Sequence, residues 1–182
     1  GLLYTTLRWC RAAGVPRPPR LAERLTELAD CALARGRGLL WPWRDGPEGG
    51  AEVASMPGWC NGSAGFVYLW TLAGRELGGP DWRPLAEGAA WHTWEAPDRS
   101  GNLCCGLAGR AYALLHLWRH GGGAEWLERA RELAESAARE IDATTDAPDS
   151  LFRGLPGVAA LAADLTRPET AAFPLFEEEG WE

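Results

Sequence analysis

Apolar and polar positions along this chain sort into whole segments. The stretches "FVYLWTLAGREL", "RAYALLHLW" and "VAALAADL" are largely apolar, and the first two are followed by the more polar "DWRPLAEGAAWHTWE" and "AEWLERARELAESAAREI". In the last of these, Trp126, Leu127, Ala130, Leu133, Ala134, Ala137, Ala138 and Ile141 recur at three- and four-residue steps, while Glu128, Arg131, Glu132, Glu135 and Arg139 cover the opposite face. That spacing is the helical period and predicts one buried stripe on a wetted helix. The apolar stretches are predicted to be helices buried nearly all round. The leading "GLLYTTLRWCRAAG" and "RLAERLTELADCALARG" read as one more such pair. No segment has the pattern of a strand. Residues 36–58, rich in Pro, Gly and Trp, are expected to form an ordered loop over one end of the assembly.

Each apolar segment is announced by the same signal. "GWCNGSAG" (58–65), "NLCCGLAG" (102–109) and "SLFRGLPG" (150–157) align on a Gly-x-x-Gly, with 44 and 48 residues between the closing glycines Gly65, Gly109 and Gly157. A period of that length suits a helix hairpin repeated around an axis, an inner helix alternating with an outer one. Gly1 reads as the last glycine of a further, truncated turn. Glycine at these places lets the backbone turn sharply and lets neighbouring loops approach closely.

Three of the five cysteines, Cys60, Cys104 and Cys105, stand just ahead of these glycines. If the inner helices run parallel, their turns meet at one end and three thiols converge. A helix N-terminus favours thiolate, and three such donors suggest a metal, zinc first because soft ligands select it. Three protein ligands with an open position is the arrangement of catalytic zinc. Unliganded core cysteines, a Cys104–Cys105 disulfide, or a closed site completed by His92, His116 or His120 are the competing readings. Cys10 and Cys31 fall in helix-like segments and are expected to be small buried hydrophobes.

Composition narrows the classes. A net charge of −7 and the acidic end "FEEEGWE" argue against nucleic acid or an anionic membrane as partner. An odd number of cysteines in 182 residues is no disulfide scaffold. Without an apolar run long enough to span a bilayer, a cytoplasmic location is the expectation. The 11 tryptophans raise the thought of a sugar-hydrolysing toroid, but the glycine turns hold no pair of carboxylates.

The three glycine turns together with the closing "FPLFE" resemble the lanthionine synthetase C (LanC-like) family across almost the whole chain. The resemblance implies an all-α fold, an α/α toroid, of which residues 1–182 form a C-terminal portion. It implies a zinc ion held by Cys60, Cys104 and Cys105, the last replacing the histidine of the commonest pattern. It further implies a reaction, the addition of a peptide cysteine thiolate to dehydroalanine or dehydrobutyrine to form a thioether ring. The family's general-acid histidine comes from an earlier glycine turn and would lie upstream of Gly1. Arg153, in register with Asn61 and Cys105, could offer positive charge to a developing oxyanion or simply form a salt bridge. The partners implied are a dehydrated precursor peptide or a small thiol such as glutathione, a covalently linked upstream half-domain and, in one branch, a protein kinase domain. A binding module without turnover is the remaining alternative.

Overall fold

A computed structural model describes residues 1–42, 56–97, 100–144 and 148–177. Its helices among these residues are α1 (Leu2–Ala13), α2 (Leu21–Asp30), α3 (Ser63–Glu76), α4 (Arg83–Glu95), α5 (Leu107–Arg119), α6 (Glu125–Asp142) and α7 (Leu155–Asp164). The alternation expected from the pattern is present, except that α7, expected to be buried nearly all round, buries only Gly157, Val158 and Leu161. Helices α3 and α5 are buried on nearly every face, whereas α6 buries only Trp126, Ala130, Leu133, Ala137 and Ile141. The consecutive inner helices α1, α3, α5 and α7 touch in that order. Outer helices α4 and α6 each bridge two of them. The fold is all-α, an arc of an α/α toroid. No helix among the described residues is long and apolar enough to cross a membrane.

Helix ends follow local chemistry. Gly14 closes α1 in the left-handed conformation (φ 62°), its N–H reaching the carbonyls of Cys10 and Arg11. The Glu125 and Glu128 carboxylates begin α6 and Arg139 lies in its last turn, each charge placed against the opposite end of the helix dipole.

Strand does occur. The reading that carried helix through residue 36 fails at Asp30, where α2 ends and a short antiparallel hairpin follows, β1 (Leu33–Arg35) with β2 (Gly38–Leu40), turning at Gly36 (φ 59°). Tertiary packing decides this. A Cβ at Gly38 would lie within 3.0 Å of the His92 backbone, and Leu39 lies against Gly88, so the hairpin fits only against α4. Most of the loop expected over 36–58 lies outside the described residues.

The tail fills the hollow of the arc. After a 3-10 turn at Pro168–Thr170, Phe173 is fully buried among Trp59, Phe152, Tyr68 and Tyr112. Phe176 stacks on Tyr4 of α1 and meets Trp59 edge-on. The Glu177 carboxylate turns back to accept the Phe173 N–H (2.9 Å) and pairs with His116 of α5, so one buried acid pins the tail to an inner helix. Those neighbours hold Glu177 below the usual carboxylate range although burial opposes them.

Candidate metal centre

The three glycine turns share one construction. The N–H groups that open α3 and α5 are taken up by carbonyls seven residues back: Ser63 to Met56 (3.1 Å), Ala64 to Pro57 (3.1 Å), Leu107 to Ser100 (2.8 Å) and Ala108 to Gly101 (3.3 Å). The loop therefore lies across the helix start and supplies partners that a free helix end lacks. Each glycine then faces the carbonyl oxygen six residues earlier. A Cβ at Gly62, Gly65, Gly106, Gly109, Gly154 or Gly157 would come within 3.0 Å of the oxygen of Met56, Trp59, Ser100, Leu103, Pro148 or Leu151 respectively. Gly62, Gly106 and Gly154 have ordinary extended φ values of −146°, −106° and −129°. Close approach, rather than an unusual turn, is what these positions require of glycine.

The turns are joined at equivalent positions. The Cys60 N–H donates to the Cys104 carbonyl (3.3 Å) and the Cys104 N–H donates to the Phe152 carbonyl (2.9 Å), a chain of bonds through one register of the repeat. Trp59 packs over Gly109 and Leu103 over Gly157. With the backbones so tied, the sulfurs meet. Cys60 Sγ is 3.3 Å from Cys105 Sγ, Cys105 Sγ is 3.5 Å from Cys104 Sγ, and all three lie within 4.8 Å of one another. The Asn61 amide points its Nδ2 at Cys60 Sγ (3.6 Å), and the Asn102 side chain accepts the Cys105 N–H (3.0 Å).

The donor set fits zinc. Tetrahedral zinc with Zn–S near 2.3 Å sets its sulfurs about 3.8 Å apart, a small outward adjustment from the separations seen. Cys60 and Cys105 are exposed, so an ion held here keeps a side toward solvent. The expectation that a helix start favours thiolate is corrected at Cys60 and Cys104 by burial first and by the neighbouring sulfurs second. Burial, then the neighbouring Cys105 and Cys104, push the Cys60 thiol up to about 12. Cys104 is also raised, by burial and by Cys105, with the Arg153 guanidinium pulling the other way. Without a cation, a thiolate at Cys60 or Cys104 would be partly desolvated and would sit beside another sulfur, and protonation relieves both. A bound cation reverses the balance.

The remaining sequence candidates fall elsewhere. Cys10 is buried in α1 as expected, but Cys31 is exposed, because it caps α2 instead of continuing it. No imidazole joins the sulfur cluster among the described residues. His92 binds Ser63 Oγ through Nδ1 (2.6 Å) at the very start of α3 and is buried. His116, His120 and Glu177 form a second cluster, yet Arg75 lies 3.3 Å from the His120 ring and Arg119 3.8 Å from Glu177. Guanidinium groups at that range oppose a further cation, and the cluster serves to anchor the tail. Sequence reasoning missed Arg110, which is 1% exposed and donates to the carbonyls of Thr93 (2.8 Å), Trp94 (3.2 Å) and Ala96 (2.8 Å) at the end of α4. A lone arginine inside an apolar run was the available signal.

Comparison with known proteins agrees with this construction. The family model described as "Lanthionine synthetase C-like protein" matches residues 1–178. A Danio rerio protein named "Glutathione S-transferase LANCL1" is 33% identical over 124 residues, covering 65% of this chain and 31% of its own length. An Arabidopsis thaliana protein named "LanC-like protein GCL1" is 34% identical over 131 residues, covering 65% of this chain and 30% of its own length. The chain thus spans about a third of these relatives. With the family model running through all three glycine turns and into the tail, the chain belongs to the lanthionine synthetase C-like family.

Proposed function

We propose that this chain carries the zinc-binding part of a thioether-forming LanC-like domain, with Cys60, Cys104 and Cys105 as the metal ligands. The observation that supports it is the convergence of three sulfurs from two separate turns onto one partly exposed spot. A zinc ion held by Cys60, Cys104 and Cys105 would supply the positive charge that favours the thiolate of an incoming thiol, the nucleophile needed for addition to a dehydroamino acid. The chain's own residues hold the site open and in place. The backbone bonds from Cys60 to Cys104 and from Cys104 to Phe152 fix the turns, and Asn102 fixes the Cys105 backbone. The exposed Arg153 lends positive potential beside Cys104, which suits an anionic substrate group or a developing enolate.

The thiol is a cysteine of a dehydrated precursor peptide in the first reading. In the second it is glutathione, a reading favoured by the name of the Danio rerio relative. Elemental analysis of purified protein tests the metal: near-stoichiometric zinc is expected in the parent and a large loss in each of Cys60→Ala, Cys104→Ala and Cys105→Ala. A folded parent without zinc overturns the proposal. Incubating the zinc protein with a dehydrated peptide, with and without glutathione, then separates the substrates. Ring closure leaves the peptide's mass unchanged and blocks its thiol to alkylation, whereas glutathione addition raises the mass. Zinc without either product would reduce the chain to a binding module.

A further inference from the structure

The same sulfurs are spaced for a reaction that needs no metal. Cys105 Sγ lies 3.3 Å from Cys60 Sγ and 3.5 Å from Cys104 Sγ, but the two pairs differ in backbone geometry. A disulfide asks for Cα atoms about 4.4–6.8 Å apart. Adjacent residues across a trans peptide hold theirs about 3.8 Å apart, outside that range. Cys104 and Cys105 are therefore poorly placed to bridge each other. Cys60 and Cys105 come from different turns, free of that restriction, and those turns are in firm contact. The Cys60 N–H bonds the Cys104 carbonyl, and a Cβ at Gly58 would lie within 3.0 Å of Cys105 Cα. Both thiols are exposed, so a small oxidant reaches them.

We propose that Cys60 and Cys105 are an oxidative modification site, closing to a reversible disulfide when hydrogen peroxide or a similar peroxide is the oxidant. One sulfur attacks a peroxide oxygen, the O–O bond breaks, and a sulfenic acid and one water result. The second sulfur displaces the sulfenic hydroxyl as another water and forms the S–S bond. Two thiols and one peroxide give one disulfide and two waters, and a dithiol reductant reverses the change by exchange. The modification removes two thiolate donors of three and leaves Cys104 alone, so it ejects the metal. That last consequence rests on the zinc reading, whereas the disulfide rests only on the sulfur positions.

The test uses the purified chain in two forms. Metal-stripped protein is treated with a slight excess of hydrogen peroxide, its thiols are counted, and its cross-linked peptides are identified by tandem mass spectrometry. The expected result is the loss of two thiols per chain, a Cys60–Cys105 linkage, and full recovery with dithiothreitol. Cys104→Ser should keep the linkage and Cys60→Ser should abolish it. Zinc-loaded protein should release its ion on the same treatment, followed with a chromogenic chelator, and Cys105→His should resist that release. A Cys104–Cys105 linkage, or sulfinic acid without any linkage in the folded parent, overturns the proposal. A Cys60–Cys105 linkage in a protein that never held zinc upholds the modification and removes the metal reading instead.

Discussion

A methyl group at Gly109 would fall within 3.0 Å of the Leu103 carbonyl oxygen, and one at Gly106 would strike the Ser100 carbonyl just as hard. Both obstacles are backbone: the Ser100 carbonyl is held by the Leu107 N–H that starts α5, and Leu103 is followed directly by the Cys104 N–H bonded to the Phe152 carbonyl. Gly74 offers the contrast. It is exposed within α3, and an added Cβ would meet only Trp82 Cβ at 4.0 Å. Gly109→Ala is therefore expected to destabilise the fold by about 1–3 kcal/mol through overpacking, while Gly74→Ala should stabilise it by roughly 0.5–1 kcal/mol through lost unfolded-state freedom. Urea unfolding of the two variants beside the parent checks both signs. The repeat made these turns legible in the sequence because their glycines and cysteines recur at fixed offsets. What the residues could not disclose was the direction of the effect, since Cys60 and Cys104, which looked acidic at their helix starts, become less acidic through burial first and neighbouring sulfurs second.

Between elements, the contacts are the ones sequence periodicity does not carry. The inner and outer helices were legible because a 3.6-residue stripe identifies a buried face without saying what covers it. The hairpin was not, because strands of three residues are too short to show a period and owe their form to α4. Arg110 is the sharper case, a charge buried in α5 whose partners are the last carbonyls of α4. Arg110→Met keeps much of the side chain's bulk but leaves those carbonyls without their donor, so a loss of about 3 kcal/mol is expected by denaturant unfolding. The histidines give a pH dependence. His92 is lowered from 6.5 by burial first, then by Arg35 and Arg110, and His120 is lowered to about 3 by burial, then by His116 and Arg75. Both are thus depressed in the folded chain, and the unfolded chain binds more protons below pH 6.5. Their contribution to stability is complete above that pH and is lost progressively as pH falls toward the folded values. Unfolding midpoints measured from pH 7.5 to pH 5 should fall across this window, and His120→Gln should flatten the slope.

At the scale of the whole arc, the tail joins what the repeat leaves apart. Phe173 stands where α3, α5 and the third glycine turn face one another, and it stacks on Trp59 with ring centres 4.6 Å apart. Trp59 directly precedes Cys60, so the aromatic cluster and the sulfur cluster share a turn. Phe173→Ala should destabilise the chain by about 3–5 kcal/mol, the usual range for emptying a buried aromatic site. A purely global effect would lower the unfolding midpoint and leave the folded protein's affinity for the proposed zinc ion unchanged. If the tail also holds the Trp59 turn in place, zinc should bind more weakly to the variant at temperatures where it is fully folded, because Cys60 would no longer be held within reach of Cys105. A competition titration against a chelator of known affinity, run beside circular dichroism to confirm folding, separates the two. Equal affinity in parent and variant would confine the tail to stability, and weakened affinity would make the tail a positioning element of the proposed metal centre.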